Sequence, residues 1–227
     1  MKNLRLSMFL CALACSACAA DSGGPSGPSG SLPIQVDDAV ILTMRGQRDI
    51  ALDTQQVEQF RRLLRVARTA VLPQVAEIHA RPDSDYRTIG VKGTGEIAAA
   101  FDQGKLRTGN AKVDALLARF ELTGVRLAIP AAPGDPAKWY WLTFNGPIQT
   151  ARLATAMQDL QIAEIAHAEP NNIFGDGDDI RATQTGSDWT IAFIHGEGDC
   201  PAGCIKHTRT RVLVDASGRA HLLGEEN

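Results

Sequence analysis

Residues 139–168, WYWLTFNGPIQTARLATAMQDLQIAEIAHA, decide the fold that the sequence predicts. The run 139–144 is aromatic and compact, which favours a strand. A helix is predicted from about Thr150, because Leu153, Met157 and Leu160 recur at helical spacing. Residues 162–168 form the next predicted strand. A strand, a helix and a second strand in so short a stretch predict a right-handed crossover between two parallel strands.

The residues before this stretch extend the same segment. Asn110 can cap a helix in which Val113, Leu117 and Phe120 face a core. Residues 124–129 then alternate like a strand, and a loop rich in Pro and Gly leads to the aromatic run. We therefore treat residues 108–181 as one segment.

Two further segments flank it. In residues 32–107, Asp53 and Gln56 have capping-box spacing, and a core-facing helix runs from there to Pro73. A short strand at 89–92 and a helix at 96–103 follow. Residues 182–227 predict strands at 189–195, 209–215 and 220–223, and a glycine-containing hairpin turn joins the last two. Together the segments predict an α+β fold with a small C-terminal antiparallel β module.

The N-terminal residues have the layout of a secretory signal peptide. Lys2 and Arg5 precede an uncharged apolar run that ends among small residues. This run is far shorter than the roughly 20 apolar residues that a membrane-spanning helix needs. We expect residues 1–17 to be removed on export, and residues 18–31, which are rich in Gly, Ser and Pro, to act as a flexible tether.

Cysteine counting favours lipid attachment at Cys18. The chain has five cysteines, and cutting before Cys18 leaves Cys200 and Cys204 as an even pair beside the lipidated residue. Cutting before Cys15 would leave an odd thiol in an oxidising compartment. An Ala-x-Ala site makes plain secretion the alternative. We expect an outer-membrane or cell-surface lipoprotein that contacts the membrane through its anchor only, or else a periplasmic or secreted soluble protein.

The charge balance argues against nucleic acid as a partner. Loss of Lys2 and Arg5 with the signal peptide leaves 21 of the 23 Lys and Arg residues against 26 Asp and Glu, a net charge near −5. A nucleic-acid-binding domain is typically basic.

Residues 113–120, 139–142 and the helix ending at Leu160, followed by the run 166–171 (AHAEPN), resemble the propeptide of secreted subtilisin-like proteases. The resemblance covers about residues 110–174. It implies a ferredoxin-like open α/β sandwich that assists or inhibits a subtilisin-like protease through a C-terminal tail. The residues that would bind the protease, of which the first three match the tail motif, are Glu169, Pro170, Asn171, Asn172, Ile173 and Phe174.

The chain lacks the Asp-Thr-Gly and Gly-Thr-Ser loops of the protease itself. It also lacks the Gly-x-Ser-x-Gly and His-Glu-x-x-His motifs. We therefore assign no catalytic residue and no cofactor, and we expect a free-standing, non-enzymatic inhibitor or protein-binding module.

Residues 195–207 concentrate the side chains that could perform chemistry. In an exported protein, Cys200 and Cys204 are expected to form a disulfide. The alternatives are a reactive dithiol or a metal site formed by His195, Cys200, Cys204 and His207, which would make the protein metal- or redox-active.

The nearby acidic run at 176–179 offers oxygen ligands to calcium through Asp176, Asp178 and Asp179. It is too short for an EF-hand loop and lacks the closing glutamate, which favours a polar turn.

Overall fold

The computed structural model describes residues 37–200 and 202–226. The predicted signal peptide, Cys18 and tether lie outside these described residues. The helices and strands are, in chain order, α1 (Asp38–Gly46), α2 (Thr54–Val71), β1 (Ser84–Gly93), α3 (Gly95–Asp102), α4 (Ala111–Arg119), β2 (Leu122–Ile129), β3 (Lys138–Phe144), α5 (Thr150–Asp159), β4 (Ile165–Asn172), β5 (Asp179–Thr185), β6 (Asp188–Glu197), β7 (Lys206–Val214) and β8 (Ala220–Glu226).

The first sheet has the strand order β2-β3-β1-β4. β1 pairs antiparallel with both β3 and β4, so those two strands are parallel to each other, as the crossover predicts, but β1 lies between them. With helices between β1 and β2 and between β3 and β4, this is the split βαβ arrangement of ferredoxin-like folds. One of its two inner strands, β1, comes from the predicted segment 32–107, so the sheet extends beyond residues 108–181.

Burial alternates from residue to residue along β3, and the buried side chains lie on the face of the sheet that the helices cover. Tyr140, Leu142 and Phe144 are completely buried, and they share a core with Leu153 and Met157 of α5. Each such side chain contributes roughly 1.5–3 kcal/mol to folding through the apolar surface it removes from water. The residues between them lie on the opposite face.

The second sheet has the order β5-β6-β7-β8, with antiparallel pairing throughout. Its apolar face shares a core with α1 and α2, where Phe60 contacts Trp189 edge to face at 5.2 Å between ring centroids. The α+β class is therefore confirmed. The helices that cover this C-terminal sheet, α1 and α2, come from the N-terminal segment. The periodicity of the last 46 residues contains no information about which helices cover their sheet.

Two elements are absent from the sequence-based prediction. α1 is buried from Ala39 to Met44 without a polar face, so it lacks the amphipathic pattern by which helices are recognised. β5 carries buried residues only at Asp179 and Ile180, followed by polar exposed residues, and therefore gives a weak strand signal. Both elements are defined by their packing rather than by their own periodicity.

A cluster of hydrogen bonds around the buried Asp179 carboxylate connects three segments of the chain. Its Oδ1 accepts hydrogen bonds from Arg45 Nη2 (2.8 Å), from the Arg81 N–H (2.9 Å) and from the Ile180 N–H (2.8 Å). Arg45, at the end of α1, also donates to the carbonyl oxygens of Ile180 and Arg81. The cluster therefore holds together the end of α1, the approach to β1 and the start of β5.

Replacing Asp179 with alanine should lower the free energy of unfolding by about 3 kcal/mol, because Arg45 and two backbone N–H groups lose a buried acceptor. Urea denaturation monitored by circular dichroism measures this loss. Asp83→Ala is the matched control: Asp83 Oδ2 lies 3.5 Å from Arg45 Nε, but its side chain is 62% exposed. We expect the control to cost less than about 1 kcal/mol. Equal losses would contradict a central role for Asp179.

Candidate functional site

Two loops meet at one end of the second sheet. The first, residues 173–178, connects β4 to β5, and the second, residues 198–205, connects β6 to β7. The sulfur atoms of Cys200 and Cys204 lie at disulfide-bonding distance within the second loop, as the sequence predicts. The Asp176 N–H donates to the Cys200 carbonyl oxygen at 3.0 Å, which joins the two loops.

Gly196 allows the close approach of these loops. A Cβ atom at this position would overlap Cys204 Sγ and lie 3.0 Å from the carbonyl carbon and oxygen of Gly177. The absence of a side chain therefore leaves room for the cysteine pair. Opposite Gly196, on β7, lies His207.

The Asp176 carboxylate is the centre of the contact between the loops. It accepts hydrogen bonds from the N–H groups of Gly177 (2.9 Å) and Cys204 (3.1 Å), and it lies 3.1 Å from His207 Nε2. The two backbone hydrogen bonds, followed by the contact with His207, lower the pKa of Asp176. The carboxylate is therefore ionised at neutral pH.

His195 belongs to a different pair. Its Nδ1 lies 2.9 Å from Asp178 Oδ1, which also accepts the Gly196 N–H at 2.9 Å. Because Gly196, not His195, is the cross-strand partner of His207, the two histidines project from opposite faces of the sheet. Among the described residues, the group that offers metal-ligating atoms within 4.8 Å of one another is Asp176, Cys204 and His207.

The structure thus changes both of the metal hypotheses drawn from sequence. Asp176, rather than His195, joins Cys204 and His207. The three aspartates of the acidic run face different partners: Asp176 contacts His207, Asp178 contacts His195 and Asp179 contacts arginines. They do not converge on one position, and Asp179 lies outside any turn, because it is the buried first residue of β5. The pairing of Asp176 with His207, 31 residues away, has no local sequence signal.

The residues of the predicted protease-binding tail continue β4 and the loop that follows it. Glu169, Pro170 and Asn172 pair with β1, and the Ile173 N–H donates to the Asp83 carbonyl oxygen at 3.1 Å. Phe174 comes next and is 88% exposed. Since the chain continues into β5, this segment is a loop held at both ends rather than a free tail.

The open face of the first sheet carries an aromatic cluster that the sequence analysis did not single out. A Cβ on Gly90 would lie 3.0 Å from Trp141 Cζ3 and 3.2 Å from Trp139 Cζ3, so both indoles extend across β1 at this glycine. The Trp139 ring also contacts His167 on β4, with centroids 5.8 Å apart. The signal was present in the run 139–144, where tryptophan occupies alternate positions of the strand.

No known family model, no curated protein sequence and no solved structure matches this chain. No helix among the described residues is both long and apolar enough to cross a membrane.

Substituting Gly196 with alanine should destabilise the protein by about 1–3 kcal/mol, because the added methyl group forces the two loops apart. Thermal and urea denaturation of the oxidised protein measure the change. Gly146→Ala is the control, since a Cβ there meets nothing within 4 Å. If both variants are equally stable, the packing at Gly196 is not constrained by the cysteine pair.

Proposed function

We propose that this chain is an exported, membrane-tethered protein-binding module that inhibits a subtilisin-like protease or assists its folding. The observation that carries this proposal is Phe174, which is 88% exposed at the end of an edge strand, in a loop anchored on both sides. The anchors are the Ile173 N–H bond to Asp83 and the Asp176 N–H bond to Cys200.

A loop fixed before binding loses little conformational entropy when a partner contacts it. Exposure alternates along the segment: Asn172 and Phe174 are exposed, whereas Ile173 is half-buried. This alternation suits an extended segment whose outward side chains are recognised by pockets of the partner. Aromatic side chains are frequent among the residues that dominate binding energy.

The edge of β4 adds backbone groups to this surface. In the described sheet β4 pairs only with β1, so its other edge is open to a strand of a partner. Addition of a strand at such an edge supplies backbone hydrogen bonds, and alternate side chains supply selectivity. The open sheet face with Trp139, Trp141 and His167 is a second surface with the aromatic composition typical of interface cores.

The choice of a subtilisin-like protease rests on the resemblance of residues 110–174 to the propeptides of that family. The ferredoxin-like arrangement of β1 to β4 supports it, because it is the fold that the resemblance implies. The departure is that Asn172 ends β4, and that Ile173 and Phe174 lie in an anchored loop directly after it. Inhibition would then resemble that of a loop held in the substrate cleft, not that of a cleavable tail.

Phe174→Ala should weaken inhibition of a subtilisin-like protease at least about tenfold, which corresponds to the loss of one aromatic contact of roughly 1.4 kcal/mol. Because Phe174 is exposed, the free energy of unfolding should not change. Titration of the purified chain into a panel of such enzymes, with a peptide substrate, measures the inhibition constant.

The matched control is Ile129→Ala, an exposed apolar residue on β2 at the opposite edge of the same sheet. It should inhibit as the wild type does. Absence of inhibition by the wild type at micromolar concentration would contradict the proposal. Equal weakening by both substitutions would contradict the role of Phe174.

The tether is tested separately. Metabolic labelling of producing cells with a palmitate analogue should mark the wild type and not a Cys18→Ala variant, because Cys18 is the proposed site of the diacylglyceryl group. Equal labelling of the two proteins would exclude this anchor.

A second candidate function is a metal- or redox-active protein centred on the loop between β6 and β7. The grouping of Asp176, Cys204 and His207 favours it. This arrangement does not depend on any protease partner.

A further inference from the structure

The two loops bring three metal-ligand side chains together, those of Asp176, Cys204 and His207, and Cys200 lies beside Cys204. Asp176 Oδ2 and His207 Nε2 are 3.1 Å apart, and Cys204 Sγ lies within 4.8 Å of both donors. The Cys200 sulfur lies at bonding distance from that of Cys204. Two sulfurs, one imidazole nitrogen and one carboxylate oxygen form a donor set typical of zinc.

We propose that Asp176, Cys200, Cys204 and His207 form a zinc site that exists only when the Cys200–Cys204 disulfide is reduced. In the oxidised state neither sulfur can act as a thiolate, and thiolates are the form in which cysteine binds metal. The loop therefore alternates between a disulfide and a zinc complex.

Two of the four ligands, Asp176 and His207, already lie close to the separation that a tetrahedral ion requires. Zinc holds nitrogen and oxygen ligands at about 2.0–2.2 Å and sulfur at about 2.3 Å, which places ligand atoms roughly 3.3–3.8 Å apart. The Asp176–His207 separation of 3.1 Å is just below this range, so these two ligands need to move apart by only a few tenths of an ångström. The two sulfurs lie at bonding distance and separate once the disulfide is reduced. The spacing from Cys200 to Cys204 and on to His207 is C-x3-C-x2-H, within the range of cysteine spacings in zinc sites.

Neighbouring backbone groups hold the Asp176 carboxylate in a state that can bind a metal ion. The N–H groups of Gly177 and Cys204 orient the carboxylate and favour its charged form. The side chains of Asp176 and His207 are 37% and 30% exposed, so an ion can reach them from solvent. His195 is held by Asp178 and takes no part.

The exchange between the disulfide and the zinc complex takes place in two steps. A dithiol reductant attacks the disulfide and is itself oxidised to a disulfide, which transfers two electrons and two protons and leaves Cys200 and Cys204 as thiols. Zn²⁺ then binds the two sulfurs as thiolates and releases two protons to solvent. In the reverse direction a disulfide oxidant accepts two electrons from the two thiolates and two protons from solvent, which yields its own two thiols, restores the Cys200–Cys204 disulfide and releases Zn²⁺.

The test uses the purified full chain, either oxidised or reduced with a phosphine that is then removed. Zn²⁺ is titrated in competition with a chromophoric chelator, and Co²⁺ serves as a spectroscopic probe of tetrahedral thiolate coordination. Reduced protein should bind one ion per chain at least about 100-fold more tightly than oxidised protein, because two of its four ligands exist only as free thiolates. Equal binding by the two states would overturn the proposal.

Ligand assignment is tested in the reduced protein. His207→Gln and Asp176→Asn should each weaken zinc binding at least about tenfold, whereas His195→Gln, the matched control, should bind as the wild type does. Circular dichroism verifies that each variant is folded. If Asp176→Asn disturbs the loop, His207→Gln decides alone. Loss of binding on replacing His195, or unchanged binding on replacing His207, would overturn the donor set.

Discussion

The buried carboxylate of Asp179 is the contact on which the arrangement of the described chain most depends. It accepts hydrogen bonds from the Arg45 guanidinium and from the N–H groups of Arg81 and Ile180. These residues belong to the end of α1, the approach to β1 and the start of β5. One charged cluster therefore connects the first helix, the approach to the first sheet and the start of the second sheet. Loss of one partner leaves buried polar groups unpaired, at a cost of several kcal/mol.

Fixing the start of β5 also determines the loop before it. The end of β4 is held by pairing of Asn172 with Ser84 and by the hydrogen bond of Ile173 to Asp83. The short connection between these two fixed ends passes beside the cysteine loop, which exposes Phe174 and places Asp176 against His207. The proposed protease-binding and zinc-binding features are therefore consequences of the same short connection.

The sequence predicted elements with strong periodicity close to their observed bounds. The helix expected from Asp53 is α2, and the Asp53 side chain accepts hydrogen bonds from the Gln55 and Gln56 N–H groups, as a cap does. Asn110 caps α4 in the same way. By contrast, α1 was missed because its residues from Ala39 to Met44 are all buried, and β5 because only its first two residues are buried. Hydrophobic periodicity identifies a helix or strand most clearly where one face of the segment is exposed to solvent and the other is buried.

By itself, the sequence determined the α+β class, most helices and strands, and the pairing of two cysteines in one loop, because these depend on periodicity and short spacing. Only the tertiary structure decided that α1 and α2 cover the C-terminal sheet, that β1 lies between β3 and β4, and that Asp176 rather than His195 meets His207. These contacts join residues far apart in the chain and depend on strand register. A shift of one residue in register turns a side chain to the opposite face, and no local pattern specifies that choice for exposed polar residues.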